Sequence, residues 1–148
     1  MYYQHHGFEN NDYAERQNQK VLREINKALN DEFKAIHYYT RLAELAPNSQ
    51  FKKAILGIRQ DEIKHFGWFS TAYFKLSGKY PTLVLGAELP STFKSGIRAS
   101  IKDEQETVPF YQALSSQISD VQTKQRVLRA AGDEHRHAQI FNQINTSL

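Results

Sequence analysis

From Glu15 onward, apolar residues return every three or four positions, the period of helices that bury one face. Leu29, Ala35, Ile36 and Tyr39 share one side of such a stretch, and Ile58, Phe66 and Phe69 share one side of another. Turn residues interrupt the pattern in only a few places. The pattern predicts four helices. The first runs from about Ala14 to Ala46 and stops before Pro47-Asn48. The second starts at Ser49, read as the N-cap, and runs to about Ser77-Gly78. The third runs from about Ser91 to Ser119-Asp120, and the fourth from Val121 to about Asn145. Between Gly78 and Pro90 two prolines and two glycines rule out a helix. Residues 1–14, rich in Tyr, His and Asn, show no apolar period and read as a flexible arm; 15–148 form one domain. The connections are short, long, short. Short connections make antiparallel neighbours, and the middle one can run the length of the molecule. The fold class is all-α, an antiparallel four-helix bundle with one long crossover between helices 2 and 3.

The two halves repeat. Shifted by 72 residues, Asp31-Glu32 falls on Asp103-Glu104, Tyr39 on Tyr111, and Leu42 on Leu114. Asp61-Glu62 falls on Asp133-Glu134, His65 on His137, and Phe69 on Phe141. We read a duplicated helical hairpin. What repeats is chemical: each half supplies a Glu on its first helix and Glu-x-x-His on its second. Positions i and i+3 share a helix face, so Glu62 and His65 point one way, as do Glu134 and His137. Their neighbours are apolar, so these groups point into the bundle. Four bare carboxylates there would cost several kcal/mol each. Two divalent cations would neutralise them, with two imidazoles completing the ligand set.

Composition narrows the chemistry further. The chain has 148 residues, 24% charged and 40% hydrophobic, enough for one domain with a real core. It has no cysteine, which excludes disulfides, iron–sulfur clusters and a thiol nucleophile. The net charge of +3 comes from scattered Lys and Arg, so nucleic acid is not an expected partner. No apolar run is long enough for a membrane span, and the first residues lack the apolar stretch of a secretory signal. A cytoplasmic location is expected.

The motifs resemble the ferritin-like superfamily, and within it the rubrerythrin-like branch. DEFKAIHYY and DEQETVPFY resemble its two Glu-x6-Tyr helices, and DEIKHF and DEHRHAQIF its two Glu-x-x-His helices. The resemblance covers about residues 15–146. It implies metal ligands at Glu32, Glu62, His65, Glu104, Glu134 and His137. It implies two metal ions, iron in the first place, with manganese and zinc as alternatives. On this reading Glu62-His65 and Glu134-His137 each anchor one metal, while Glu32 and Glu104 complete or bridge the pair. Three features depart from the branch. There is no cysteine-bearing rubredoxin-like domain, so an electron donor would be another molecule. Thr107 stands where many relatives of that branch have a further ligand Glu. Pro109 lies inside the third helix, where it would kink or loosen it.

Around the ligands, Tyr39 and Tyr111 are read as hydroxyls that hold a Glu, or as core aromatics. Asp61 and Asp133 are read as orienting an imidazole on the neighbouring helix, or as exposed acids paired with Lys or Arg. No catalytic residue beyond the ligands is expected. His37, His135, Glu44 and Glu106 are read as surface residues, and His5 and His6 belong to the arm. Trp68 and Phe66, Phe69, Phe74, Phe110 and Phe141 are assigned to the core or to a dimer face, and a homodimer is expected from the resemblance. The implied activity is redox chemistry with O2 or peroxide, as ferroxidase or peroxide reductase. The alternatives are a structural, spore-coat-associated bundle that binds metal without turnover, and a di-manganese catalase-like activity.

Overall fold

The computed structural model describes residues 6–84, 86 and 88–148. These form four helices and no strand: α1 (His6–Leu45), α2 (Ser49–Ser77), α3 (Phe93–Ser116) and α4 (Val121–Thr146). Helix α1 packs mainly on α2 and α3 mainly on α4, giving two antiparallel hairpins joined by the long crossover. The caps explain the boundaries. The Asn48 side chain accepts from Phe51 N–H at 2.8 Å, so Asn48 is the N-cap of α2 and Ser49 its first helical residue. Gly78 closes α2 in the left-handed region, at φ 69. Thr92 caps α3 and Asp120 caps α4 in the same way as Asn48.

Three boundaries differ from the sequence expectation, one of them the end of α3, at Ser116 rather than Ser119-Asp120. Helix α1 begins at His6, so residues 6–13, assigned to the arm, are helical. Residues 11–20 are all exposed, so this part of the helix buries nothing and leaves no apolar period to read. The rest of the arm, His5 included, lies outside the described residues. Helix α3 starts at Phe93 rather than Ser91, because the Thr92 side chain takes the capping position. It runs through Pro109 without interruption. Pro109 and Gln105, whose carbonyl loses its usual donor, both lie on the exposed face, open to solvent.

The crossover is tied down at one point. The buried Asn30 side chain donates to Thr82 O at 3.1 Å and accepts from Val84 N–H at 2.7 Å. At its far end Pro90 is buried against Gly96. A side chain there would meet Leu42 at 2.5 Å, so only glycine permits the approach.

Two apolar layers fill the bundle. One contains Leu29, Phe69, Ala72, Tyr111, Leu114, Val127 and Ala130 among its buried residues. The other contains Tyr39, Leu42, Ile55, Ile58, Ile97, Phe141 and Ile144. Among the described residues no helix is long and apolar enough to cross a membrane.

Candidate metal centre

Glu32 comes from α1, Glu62 and His65 from α2, Glu104 from α3, and Glu134 and His137 from α4. The structure brings all six together, each no more than 3% exposed. They form two overlapping groups whose ligand atoms all lie within 4.8 Å of one another. One is Glu32, Glu62, His65 and Glu134; the other is Glu62, Glu104, Glu134 and His137. Glu62 and Glu134 therefore belong to both groups. Glu32 and Glu104 belong to one each.

Each imidazole turns its Nδ1 inward. His65 Nδ1 lies 3.0 Å from Glu134 and 3.4 Å from Glu32, and His137 Nδ1 lies 3.1 Å from Glu62. Yet one atom of every member is buried without a hydrogen-bond partner: Oε2 of Glu32 and Glu104, Oε1 of Glu62 and Glu134, and both Nδ1 atoms. Buried polar atoms are ordinarily satisfied. Six such atoms, all carboxylate oxygen or imidazole nitrogen and all on residues of the two groups, fit a pair of divalent cations. Four carboxylates balance the charge of two such ions.

The surrounding groups cross between the halves. The Tyr39 hydroxyl donates to Glu104 at 2.5 Å, and the Tyr111 hydroxyl donates to Glu32. Each tyrosine thus holds the terminal carboxylate of the other hairpin. Burial first, and then the nearby carboxylates, push both phenols well above their ordinary range, so they stay protonated donors. The aspartates cross too. His65 Nε2 lies 2.8 Å from Asp133 Oδ2, and His137 Nε2 lies 2.9 Å from Asp61 Oδ2. With Nε2–H donating outward, Nδ1 is left to face the centre.

Arg136 is the member that the sequence analysis missed. It donates to Asp61 at 2.7 Å and lies 3.5 Å from Asp133, tying both carboxylates together on the outside. Its signal was present: it adjoins His137 and stands three residues after Asp133. Thr107 takes no part, because its hydroxyl turns back to Asp103 O at 2.8 Å. His37, His135, Glu44 and Glu106 are exposed and outside the two groups.

The charges of the metal-free chain show how unfavourable the cluster is by itself. Burial, then the neighbouring carboxylates, push Glu62 and Glu134 well up, so both tend to hold protons. Burial opposes a charge on Glu104 as well, but its contacts with Glu134, His137 and Tyr39 outweigh this and hold it below its ordinary value. For His65, burial disfavours the imidazolium, yet Asp133, Glu134 and Glu32 outweigh it and push it up to about 12.

The two sides of the centre differ. Between α1 and α3 a cavity of about 340 Å³ reaches Tyr39 and is lined also by Asp31, Asp103 and Ser100. Desolvation, then the carboxylates of Glu104, Asp31, Glu106 and Glu32, push Asp103 up to about 6. Between α2 and α4 the Arg136–aspartate bridge closes the site.

No family model matches the sequence. Solved structures resemble the fold closely. The bacterioferritin of Desulfovibrio desulfuricans, described with its diiron site in different catalytic states, matches with a TM-score of 0.78 at 21% identity. The match covers 89% of this chain and 81% of that one. A ferritin-like, diiron-carboxylate protein of Bacillus anthracis matches with a TM-score of 0.74 at 18% identity, over 87% and 97% of the two chains. The dodecameric thioferritin of Bacteroides fragilis, a bacterioferritin-related protein, gives 0.78 at 17% identity, over 88% and 86%. These likenesses establish the ferritin-like fold. In sequence, the chain is 42% identical over 126 residues to the uncharacterized protein YhjR of Bacillus subtilis, covering 85% of this chain and 87% of that one. This ferritin-like four-helix bundle belongs to the same family as YhjR.

Proposed function

We propose that the chain is a di-iron carboxylate redox protein acting on O2 or peroxide, as a ferroxidase or a rubrerythrin-like peroxide reductase. The observation that carries this reading is that six buried residues in two overlapping groups each keep an unpartnered carboxylate oxygen or imidazole nitrogen. Glu62 and Glu134 would bridge the pair, Glu32 with His65 would complete one position, and Glu104 with His137 the other. When bound, two irons would supply the redox equivalents for O2 or peroxide. Carboxylate-rich donors with one imidazole per metal suit iron or manganese. Solved neighbours whose descriptions name diiron centres support iron.

The chain itself contributes position and exclusion. Tyr39 and Tyr111 hold the terminal carboxylates in one rotamer through hydroxyls that stay protonated. Asp61 and Asp133 fix the imidazole tautomers, and Arg136 holds those aspartates. The two apolar layers keep bulk water from above and below. The α1/α3 cavity offers a small oxidant its approach. By resemblance we also propose a homodimer and an external electron donor.

The test is anaerobic loading with Fe(II) followed by O2. The expected result is uptake of two irons per chain and a ferric absorption band that grows on O2 addition. Uptake without oxidation would leave a structural metal site and overturn the redox reading.

A further inference from the structure

The α2/α4 side carries a feature that the di-iron reading does not use. Trp68, the chain's single tryptophan, is half-buried three residues after His65. Its ring centroid lies 5.6 Å from that of His65, and His65 in turn lies 6.3 Å from His137 with the rings inclined by 29°. Two cations sit over the indole: Lys64 Nζ at 5.9 Å and the Arg126 guanidinium at 6.0 Å from its centroid. Arg136 stands nearby, above the two aspartates. The cations are outermost, with Lys64 and Arg136 side chains 45% and 55% exposed. The carboxylates of Asp61 and Asp133 lie beneath, at 19% and 13%.

We propose that Trp68 is the port through which an anionic one-electron carrier protein, of the acidic iron–sulfur or flavin class, delivers electrons to the metal pair. The proposal rests on the di-iron reading and deepens it. A basic rim around a half-buried aromatic selects an acidic partner and speeds its encounter. The indole, inclined by 32° to the buried imidazole of His65, gives a route from that surface to the centre that avoids the apolar layers. Each encounter oxidises one carrier by one electron and reduces the metal pair by one. Two encounters return a two-electron-oxidised pair to its reduced state, and Trp68 ends unchanged. Cations over the ring make the indole harder to oxidise, which suits a group that conducts without being consumed.

The repeat sharpens the assignment. The position equivalent to Trp68 is Ile140, and that equivalent to Arg126 is Ala54. The ligands, tyrosines and aspartates are all doubled and Lys64 has Arg136 as its counterpart, whereas the aromatic and Arg126 occur once. A packing role alone would be met by the isoleucine that the other half uses.

The probe is a reduced acidic [2Fe–2S] ferredoxin, mixed anaerobically with the diferric protein in stopped flow, with methyl viologen radical cation as a small donor of opposite charge. Charge reversal, Lys64→Glu with Arg126→Glu, is expected to slow the ferredoxin reaction at low salt by at least about tenfold and to remove its salt dependence. It should not slow viologen reduction and should leave iron uptake unchanged. Trp68→Leu is expected to slow ferredoxin several-fold, with Trp68→Phe restoring part of the rate. A readout independent of turnover is Trp68 fluorescence in the metal-free protein, which should change on adding oxidised ferredoxin and recover in high salt. Unchanged ferredoxin rates in both variants, with two irons still bound, would place electron entry elsewhere and overturn the proposal while the di-iron reading stands. Failure of the wild-type chain to take up iron would overturn both.

Discussion

The two halves of the bundle meet the metal centre with the same chemistry and with different packing. Ligands, tyrosines and aspartates are identical at every position related by the repeat. The apolar layers behind them are not. Where one layer has Ala72, Val127 and Ala130, the other has Ile144, Ile55 and Ile58 at the equivalent positions. Partly buried aromatics pack against both layers, Phe66, Tyr73 and Phe110 on the first and Tyr38, Phe51 and Phe93 on the second. A core asks only that total volume be filled, so methylenes can be moved from one helix to another. A cluster of buried carboxylates allows no such exchange, because each oxygen is fixed by what it binds.

The largest effects should come from the shared ligands. Glu62→Gln and Glu134→Gln are each expected to abolish binding of both metals, whereas Glu32→Gln and Glu104→Gln should each weaken one. Metal content by elemental analysis checks this. A Glu62 variant that keeps two metals would break the equivalence and the bridging assignment together. Glu62→Gln and Glu134→Gln should raise the melting temperature of the metal-free protein at alkaline pH, where the native carboxyls must lose their protons and repel one another.

Next comes pH. In the metal-free fold Glu62 and Glu134 keep protons above the ordinary 4.5, and His65 keeps its proton up to about 12 against an ordinary 6.5. In these windows the folded chain holds more protons than the unfolded one, so its stability falls as pH rises. Glu104 and Asp133 have lowered values, so their contributions are lost only in acid. Metal binding displaces the same protons and strengthens with pH. The melting temperatures of metal-free and metal-loaded protein should therefore diverge between pH 5 and pH 8 on the ordinary range of protein handling. Parallel curves in a thermal scan would contradict the protonated cluster.

Leu42→Ala and Leu114→Ala test the layers, because both side chains are wholly buried at equivalent positions. Each should cost about 2–5 kcal/mol in denaturant unfolding, with the two values similar. A large disparity would mean that one layer collapses around the cavity and the other does not.

Tyr39→Phe and Tyr111→Phe should have the smallest effect. Each removes one hydrogen bond to a charged group, about 1.5–3 kcal/mol at most, and should leave both metals bound. Isothermal titration with Co(II) would show whether either tyrosine does more than hold a rotamer.

The sequence made much of this legible, for physical reasons. The helices were readable wherever they bury a face, and the six centre residues because charges on an apolar stripe contradict their surroundings. The start of α1 was not readable, because an exposed helix has no period to detect. Nor was the crossing of Tyr39 to Glu104 and of Asp133 to His65, since spacing along one helix does not say which neighbour a side chain reaches. Asn30 looked like any polar residue until the crossover came to lie on it. Trp68 was assigned to the core or a dimer face; its place beside His65 and beneath Arg126 required the helices to be assembled.

The most direct measurement is the metal content of untagged protein by elemental analysis, with Fe(II) titrated anaerobically into stripped protein. The account requires two ions per chain, falling to none in Glu62→Gln. A folded chain that takes up no Fe(II) would contradict it, leaving a bundle that kept its ligands and lost its metal.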